Sequence, residues 1–138
     1  MTRLEPAGLL LARGLLAALF LHEGWAKILG FEGAARYAEA FGVPAALLPL
    51  AIAVELGGGA LILTGALTRP AALALAGFCL FTAAVFHTKA GDHNQMLHFE
   101  KNLGLAGGFL ALACRGAGPW SLDHAWRLWR SGRMPASV

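Results

Sequence analysis

The chain has 138 residues, of which 57% are hydrophobic and 14% charged, with a mean hydropathy of +0.60 and a formal net charge of +3. A soluble domain carries about a quarter charged residues, so the composition points to a membrane protein. The net charge is too diffuse for nucleic acid, and the basic excess concentrates at the C-terminus, where membrane lipids are the expected partner. Cys79 and Cys114 lie in separate apolar segments with no Cys-x-x-Cys, which argues against a paired thiol–disulfide relay.

The length leaves room for one domain, 1–138, with about four spans of ~20 residues each. Span one is expected at 8–30. It follows Arg3 as a signal peptide would, but it runs past the usual apolar length and lacks a small-x-small cleavage site, so it reads as a retained span. Residues 32–41 form a short amphipathic stretch with Ala34, Tyr37, Ala38 and Phe41 at helical spacing, expected to lie at the interface. Span two is expected at 44–67, span three at 71–88 after a tight Thr68-Arg69-Pro70 connection, and span four at 95–115 after a polar loop at 89–94. Gly118-Pro119 ends the fourth span. The tail 121–130 places Leu122, Ala125, Trp126 and Trp129 on one face and reads as a second interfacial helix. The expected fold is all-α: a polytopic four-transmembrane-helix bundle with short interfacial helices after span one and at the C-terminus.

Four spans put both termini on one side. That side holds Arg3, Arg69, Arg115, Arg127, Arg130 and Arg133, so the positive-inside rule places both termini in the cytoplasm.

Glu55 sits inside the second apolar run. A charge at that depth costs roughly 2.5–3.5 kcal/mol even on the mildest scale, so it is expected to face the protein interior and to be held there. Spans one and four are also interrupted. The clean run at 103–114 covers only about 18 Å of a core about 30 Å thick, so that helix must extend back through His98, Glu100, Lys101 and Asn102. The clean run at 14–21 is shorter still, which draws Arg13 and residues 22–27 into the membrane zone.

Depths counted from the span ends bring several groups to similar levels in the outer half of the bilayer. The candidate pocket is His22, Glu23, Lys27, Glu55, His87, His98, Lys101 and Asn102. Glu23 and Lys27 are four apart in the favourable order for a helical ion pair. By depth, Lys101 is the preferred counter-ion of Glu55 and Arg13 the second. His87, His93 and His98 with Asp92 are a candidate copper or zinc site, although their spacings match no structural zinc motif. Set against these readings, the charges can be pairs that fix helix register. Gly104-x-x-x-Gly108 and Gly57-Gly58-Gly59 read as packing positions, and Cys79 as a small core residue.

At these residues the chain resembles the DoxX family. The likeness rests on Arg13 and Gly24-Trp-Ala-Lys27, Val54-Glu55-Leu-Gly57-Gly58, Gly65-Ala-Leu-Thr68-Arg69, Lys101-Asn102-Leu-Gly-Leu-Ala-Gly107-Gly108 and a trailing Ser121-Leu-Asp123. The resemblance implies a four-helix protein of a bacterial or archaeal inner membrane. Its recurring polar positions are Arg13, Lys27, Glu55, Lys101 and Asn102. The family takes its name from a subunit linked to quinone-reducing sulfur oxidation and quinol oxidase. On that likeness the expected function is a redox-associated subunit that meets quinone or quinol in the polar pocket. Lys101, Asn102, His22 and His98 would be donors and Glu55 or Glu23 would carry protons. No flavin, haem or nucleotide motif is evident, so the electron source is expected in a redox partner subunit, and a homo-oligomer is a further expectation. The competing expectations are a metal- or lipid-binding assembly protein and a small transporter.

Overall fold

A computed structural model describes residues 4–88 and 92–132. The described residues form six α-helices and no strand: α1 Leu4–Leu29, α2 Phe31–Ala40, α3 Leu48–Thr64, α4 Thr68–Phe86, α5 His93–Arg115 and α6 Leu122–Arg130. Arg3, Lys89 and Arg133, and part of the expected loop at 89–94, lie outside the described residues.

Several helix boundaries have a chemical cause. Pro6 falls in the first turn of α1 and Pro49 in the first turn of α3, where the missing N–H has no intrahelical partner to lose. Lys27 stands in the last turn of α1, favourable against the exposed carbonyls there. Asp92 caps α5 by accepting from the N–H groups of Asn94 and Gln95, and Ser121 caps α6 by accepting from the His124 N–H. A single 3-10 turn, Ala45–Leu47, leads into α3.

The helices run up and down, with α1 packed along α3 and α4 along α5, and α3 and α4 joining the two pairs. One core runs through the bundle. Ala17 and Phe20 of α1 and Ile62 of α3 meet Leu75 and Cys79 of α4 and Phe109 of α5, all buried. Phe20 lies edge-on to Phe109 at 5.3 Å and to Phe78 at 6.4 Å, the arrangement that ring quadrupoles favour. Small residues set the helix distances. A Cβ on Gly58 would stand 2.9 Å from Leu75, and one on Gly59 3.0 Å from Leu21. Gly57 and Gly104 face open space, so the packing role expected of Gly57-Gly58-Gly59 and Gly104-x-x-x-Gly108 belongs to Gly58, Gly59 and, more loosely, Gly108.

Three segments are long and apolar enough to cross a membrane: Leu4–Leu29, Ala45–Thr64 and Thr68–Phe86. Only 17–33% of their apolar windows is buried within the protein, and Leu11, Leu15, Leu50, Leu73 and Phe81 point outward. A surface of that kind is matched to lipid. The fourth expected span corresponds to α5. At 23 residues it is roughly 34 Å long, enough to cross a hydrocarbon core of about 30 Å. Its first half carries His93, His98, Glu100 and Lys101, and this polarity separates it from the three apolar segments.

Candidate functional site

Two polar assemblies are built into the bundle, one near each end. The first joins α1 and α3. Lys27 Nζ donates to Glu55 Oε1 at 2.9 Å and lies 3.4 Å from Glu23 Oε2, one turn earlier on its own helix. The Glu55 side chain is 5% exposed, Lys27 27% and Glu23 51%, so the pair grades from the interior to the surface. Gly24 makes this possible. A Cβ there would stand 2.8 Å from Leu56 and 3.2 Å from Glu55, so glycine lets α1 close on α3 at the level of the carboxylate. Glu55 is buried, as its place in the apolar run requires. Its partner is Lys27, not Lys101 or Arg13. Lys101 is exposed on α5, which barely touches α1, and Asn102 is half-buried; neither bonds Glu55.

The second oxygen of that carboxylate, Oε2, is buried without a hydrogen-bond partner. A buried acceptor left unpaired costs about 1–3 kcal/mol. A donor from outside the described chain that reached this atom would remove that cost.

The remaining expected pocket residues divide. His22 is exposed on α1. His87 and His98 meet across α4 and α5 with their rings stacked at 5.2 Å, and His87 Nδ1 bonds Gln95 Oε1 at 2.7 Å. The sequence had placed these two histidines together. The wider metal group is not assembled: among the described residues no three His, Cys, Asp or Glu side chains converge as a metal would require. Asp92 turns its carboxylate to the α5 N-terminus, and His93 is exposed.

The second assembly lies at the other end, roughly 21 Å along α1 from Lys27. Arg13 is fully buried and donates to backbone carbonyls, through Nη1 to Ala117 O at 2.7 Å and through Nη2 to Trp120 O at 2.7 Å and Leu63 O at 3.5 Å. These carbonyls belong to the end of α3 and the segment after α5, where no helical N–H is left to satisfy them. Asp123 completes the structure. Its Oδ1 and Oδ2 accept from the N–H groups of Leu67 and Thr68 at 2.8 and 2.9 Å, and its own N–H donates to Gly65 O at 2.8 Å. Leu67 sits at φ 46°, a left-handed conformation costing about 1–2 kcal/mol without glycine. Gly65, at φ 69°, also leaves room for the Arg13 head, which any side chain there would meet. Arg13 and Asp123 thus lock the α3–α4 turn to the chain that leads from α5 into α6.

In the sequence Asp123 stands out only as a member of the interfacial tail 121–130 and of the trailing Ser121-Leu-Asp123, with no role in the fold. The available signal was Ser121-Leu-Asp123 directly after Gly118-Pro119, a stop followed by two capping residues. Burial pushes the Asp123 carboxyl up, but hydrogen bonds from Thr68 and Leu67 and the nearby Arg127 outweigh it and hold the group below the usual carboxylate range. A carboxylate with a lowered folded value stabilises the fold at neutral pH, and the contribution is lost as pH falls below about 4. Asp123→Ala is expected to lower stability by about 1–2 kcal/mol at neutral pH. It should also flatten the acid side of the melting-temperature profile relative to the unaltered protein. An unchanged acid limb in the variant would contradict this role.

Helices long and apolar enough to cross a membrane, with a carboxylate–ammonium pair between two of them, define a polytopic helical membrane protein. The chain belongs to the DoxX family, whose profile matches residues 8–88. It is 50% identical over 124 residues to inner membrane protein YqjF of Escherichia coli strain K12, covering 90% of this chain and 95% of that protein. It is 38% identical over 127 residues to inner membrane protein YphA of the same organism, covering 87% and 91%. No solved structure matches.

Proposed function

We propose that this protein resides in an inner membrane with α5 as its fourth span and its chain ends on the cytoplasmic side, and that the Lys27–Glu55 pair is a site for a quinone or quinol headgroup. The names of the two Escherichia coli relatives support the location. The observation that carries the site is Glu55 itself: one oxygen held by Lys27, the other buried and free to accept. A quinol hydroxyl donates to that oxygen. The Lys27 ammonium has three N–H donors and can turn one toward a quinone carbonyl. Quinol oxidation releases two protons and two electrons: Glu55 is placed to take one proton, the other leaves to water past the half-exposed Glu23, and both electrons pass to a redox centre on a partner subunit. The protein's own part is binding and proton placement.

A second reading, a binding or assembly protein without redox work, is favoured by one observation. A cleft of about 840 Å³ lies beside α6 and not at the Lys27–Glu55 pair. The two readings separate in a simple assay. Protein purified in mild detergent should carry quinone close to one per chain by solvent extraction. Glu55→Gln, which keeps the shape of the side chain, should reduce retention about tenfold, as expected when about 1.4 kcal/mol of hydrogen bonding is lost. Lys101→Ala should leave it unchanged. Equal retention in Glu55→Gln and the unaltered protein would assign the quinone elsewhere and favour the assembly reading.

A further inference from the structure

The cleft of about 840 Å³ at the α6 end is lined by Arg69, Arg115 and Arg127 together with His124, and the carboxylate in its lining is Asp123. Asp123 is committed: both oxygens already accept N–H groups at the start of α4. Arg115 pairs with Glu5 of α1. Arg69 and Arg127 have no carboxylate within salt-bridge distance among the described residues. The cleft therefore presents two guanidiniums outside any salt bridge among the described residues. Arg127 Nη2 lies 3.5 Å from His124 Nδ1, and each guanidinium can grip a phosphate with two parallel N–H groups.

A groove of about 570 Å³ adjoins it and shares Leu67 and Asp123 in its lining. Its other walls are apolar, from Leu122, Trp126 and Trp129 of α6 with Ala66 of the α3–α4 turn. The Trp126 and Trp129 rings lie 5.0 Å apart, tilted by 36°, and stay 58% and 62% exposed. Exposed paired tryptophans on a nine-residue helix have no partner within the described chain, and tryptophan is the residue suited to the headgroup layer. A charged cleft continuous with a tryptophan-walled apolar groove has the two-part chemistry of a phospholipid. Inorganic phosphate would fill only the first part.

We propose that this end of the bundle is a binding site for an anionic phospholipid, with its phosphate between Arg69 and Arg127 and an acyl chain along the Trp126–Trp129 groove. The site lies at the opposite end of α1 from Lys27–Glu55 and does not depend on what that pair binds. Bound lipid would bridge the α3–α4 turn to α6, joining the same segments that Asp123 joins.

The test is native mass spectrometry of the whole protein released from mixed micelles containing equal phosphatidylglycerol and phosphatidylcholine. One phosphatidylglycerol per chain should be retained in preference to phosphatidylcholine. A basic residue near an anionic surface contributes roughly fivefold, so the double variant Arg69→Gln/Arg127→Gln should lose about 30-fold in affinity. Trp126→Ser, with both arginines in place, should weaken retention while leaving the preference for the anionic headgroup. If the glutamine pair fails to fold, the salt dependence of retention in the unaltered protein decides, since binding through these charges must fall as salt rises. Equal retention of the two lipids, or retention insensitive to both salt and Arg69/Arg127 substitution, overturns the proposal. So does displacement of the lipid by millimolar inorganic phosphate, which would make the site one for a soluble anion.

Discussion

Replacing Arg13 by leucine is expected to remove about 3–5 kcal/mol of stability, the largest effect of any single substitution in the bundle. The guanidinium is fully buried and serves three carbonyls, at Leu63, Ala117 and Trp120. Leucine removes the charge, which lightens the desolvation burden, but it strands acceptors at the ends of α3 and α5 that no other group in the described chain reaches. The loss should appear in detergent as a lowered melting temperature and as proteolytic cleavage between α5 and α6. Arg13→Lys should recover only part of it, because one ammonium cannot span carbonyls on two sides as the planar guanidinium does. A melting temperature for Arg13→Leu within a degree or two of the unaltered protein would show that the carbonyls find other partners.

The second large effect belongs to Lys27→Met. Taking away the ammonium leaves Glu55 buried without its counter-ion, a change that costs about 3–5 kcal/mol in fully buried pairs. Lys27 lies in the last turn of α1 and keeps 27% of its side chain exposed, which screens the pair and sets the expectation at the lower end, about 3 kcal/mol. Glu55→Gln should be milder, since the amide still accepts from Lys27. The double variant Lys27→Met/Glu55→Leu should regain much of the stability lost in Lys27→Met, because no charge is then stranded. A double-mutant cycle measures the coupling between the two side chains. Additive losses would show that the pair does not act as a unit.

Much of the fold was legible because it rests on length and polarity. The four long helices fall close to the expected segments, and the buried position of Glu55 follows from its depth in an apolar run. What could not be read was which helix neighbours which. Depth counted from span ends ranks groups by height along the membrane normal, and that ranking puts Lys101 first and Arg13 second for Glu55. Lys27 was already assigned locally to Glu23, four residues away. The deciding feature is lateral: Gly24, next to Glu23, lets α1 rather than α5 come up against Glu55. Arg13 was visible as a deep charge, but binding to backbone carbonyls leaves no complementary residue in the sequence to find. Asp123 was hidden for a related reason, since its partners are the N–H groups of Leu67 and Thr68, which look like any others. The meeting of His87 with His98 was legible because one short loop joins their helices.

If the free oxygen of Glu55 and the ammonium of Lys27 receive a quinone headgroup, as proposed, both partners must change on binding. The most direct measurement is the infrared difference spectrum of the purified protein with and without added quinone, using isotope-labelled quinone carbonyls to isolate their stretch. In the unaltered protein one carbonyl band should move to lower frequency, as a hydrogen bond from Lys27 requires, and the Glu55 carboxyl band should shift with it. Both changes should vanish in Lys27→Met/Glu55→Leu. Quinone carbonyl bands identical to those in empty micelles, in a protein shown to be folded, would contradict it and leave Lys27–Glu55 as a structural pair.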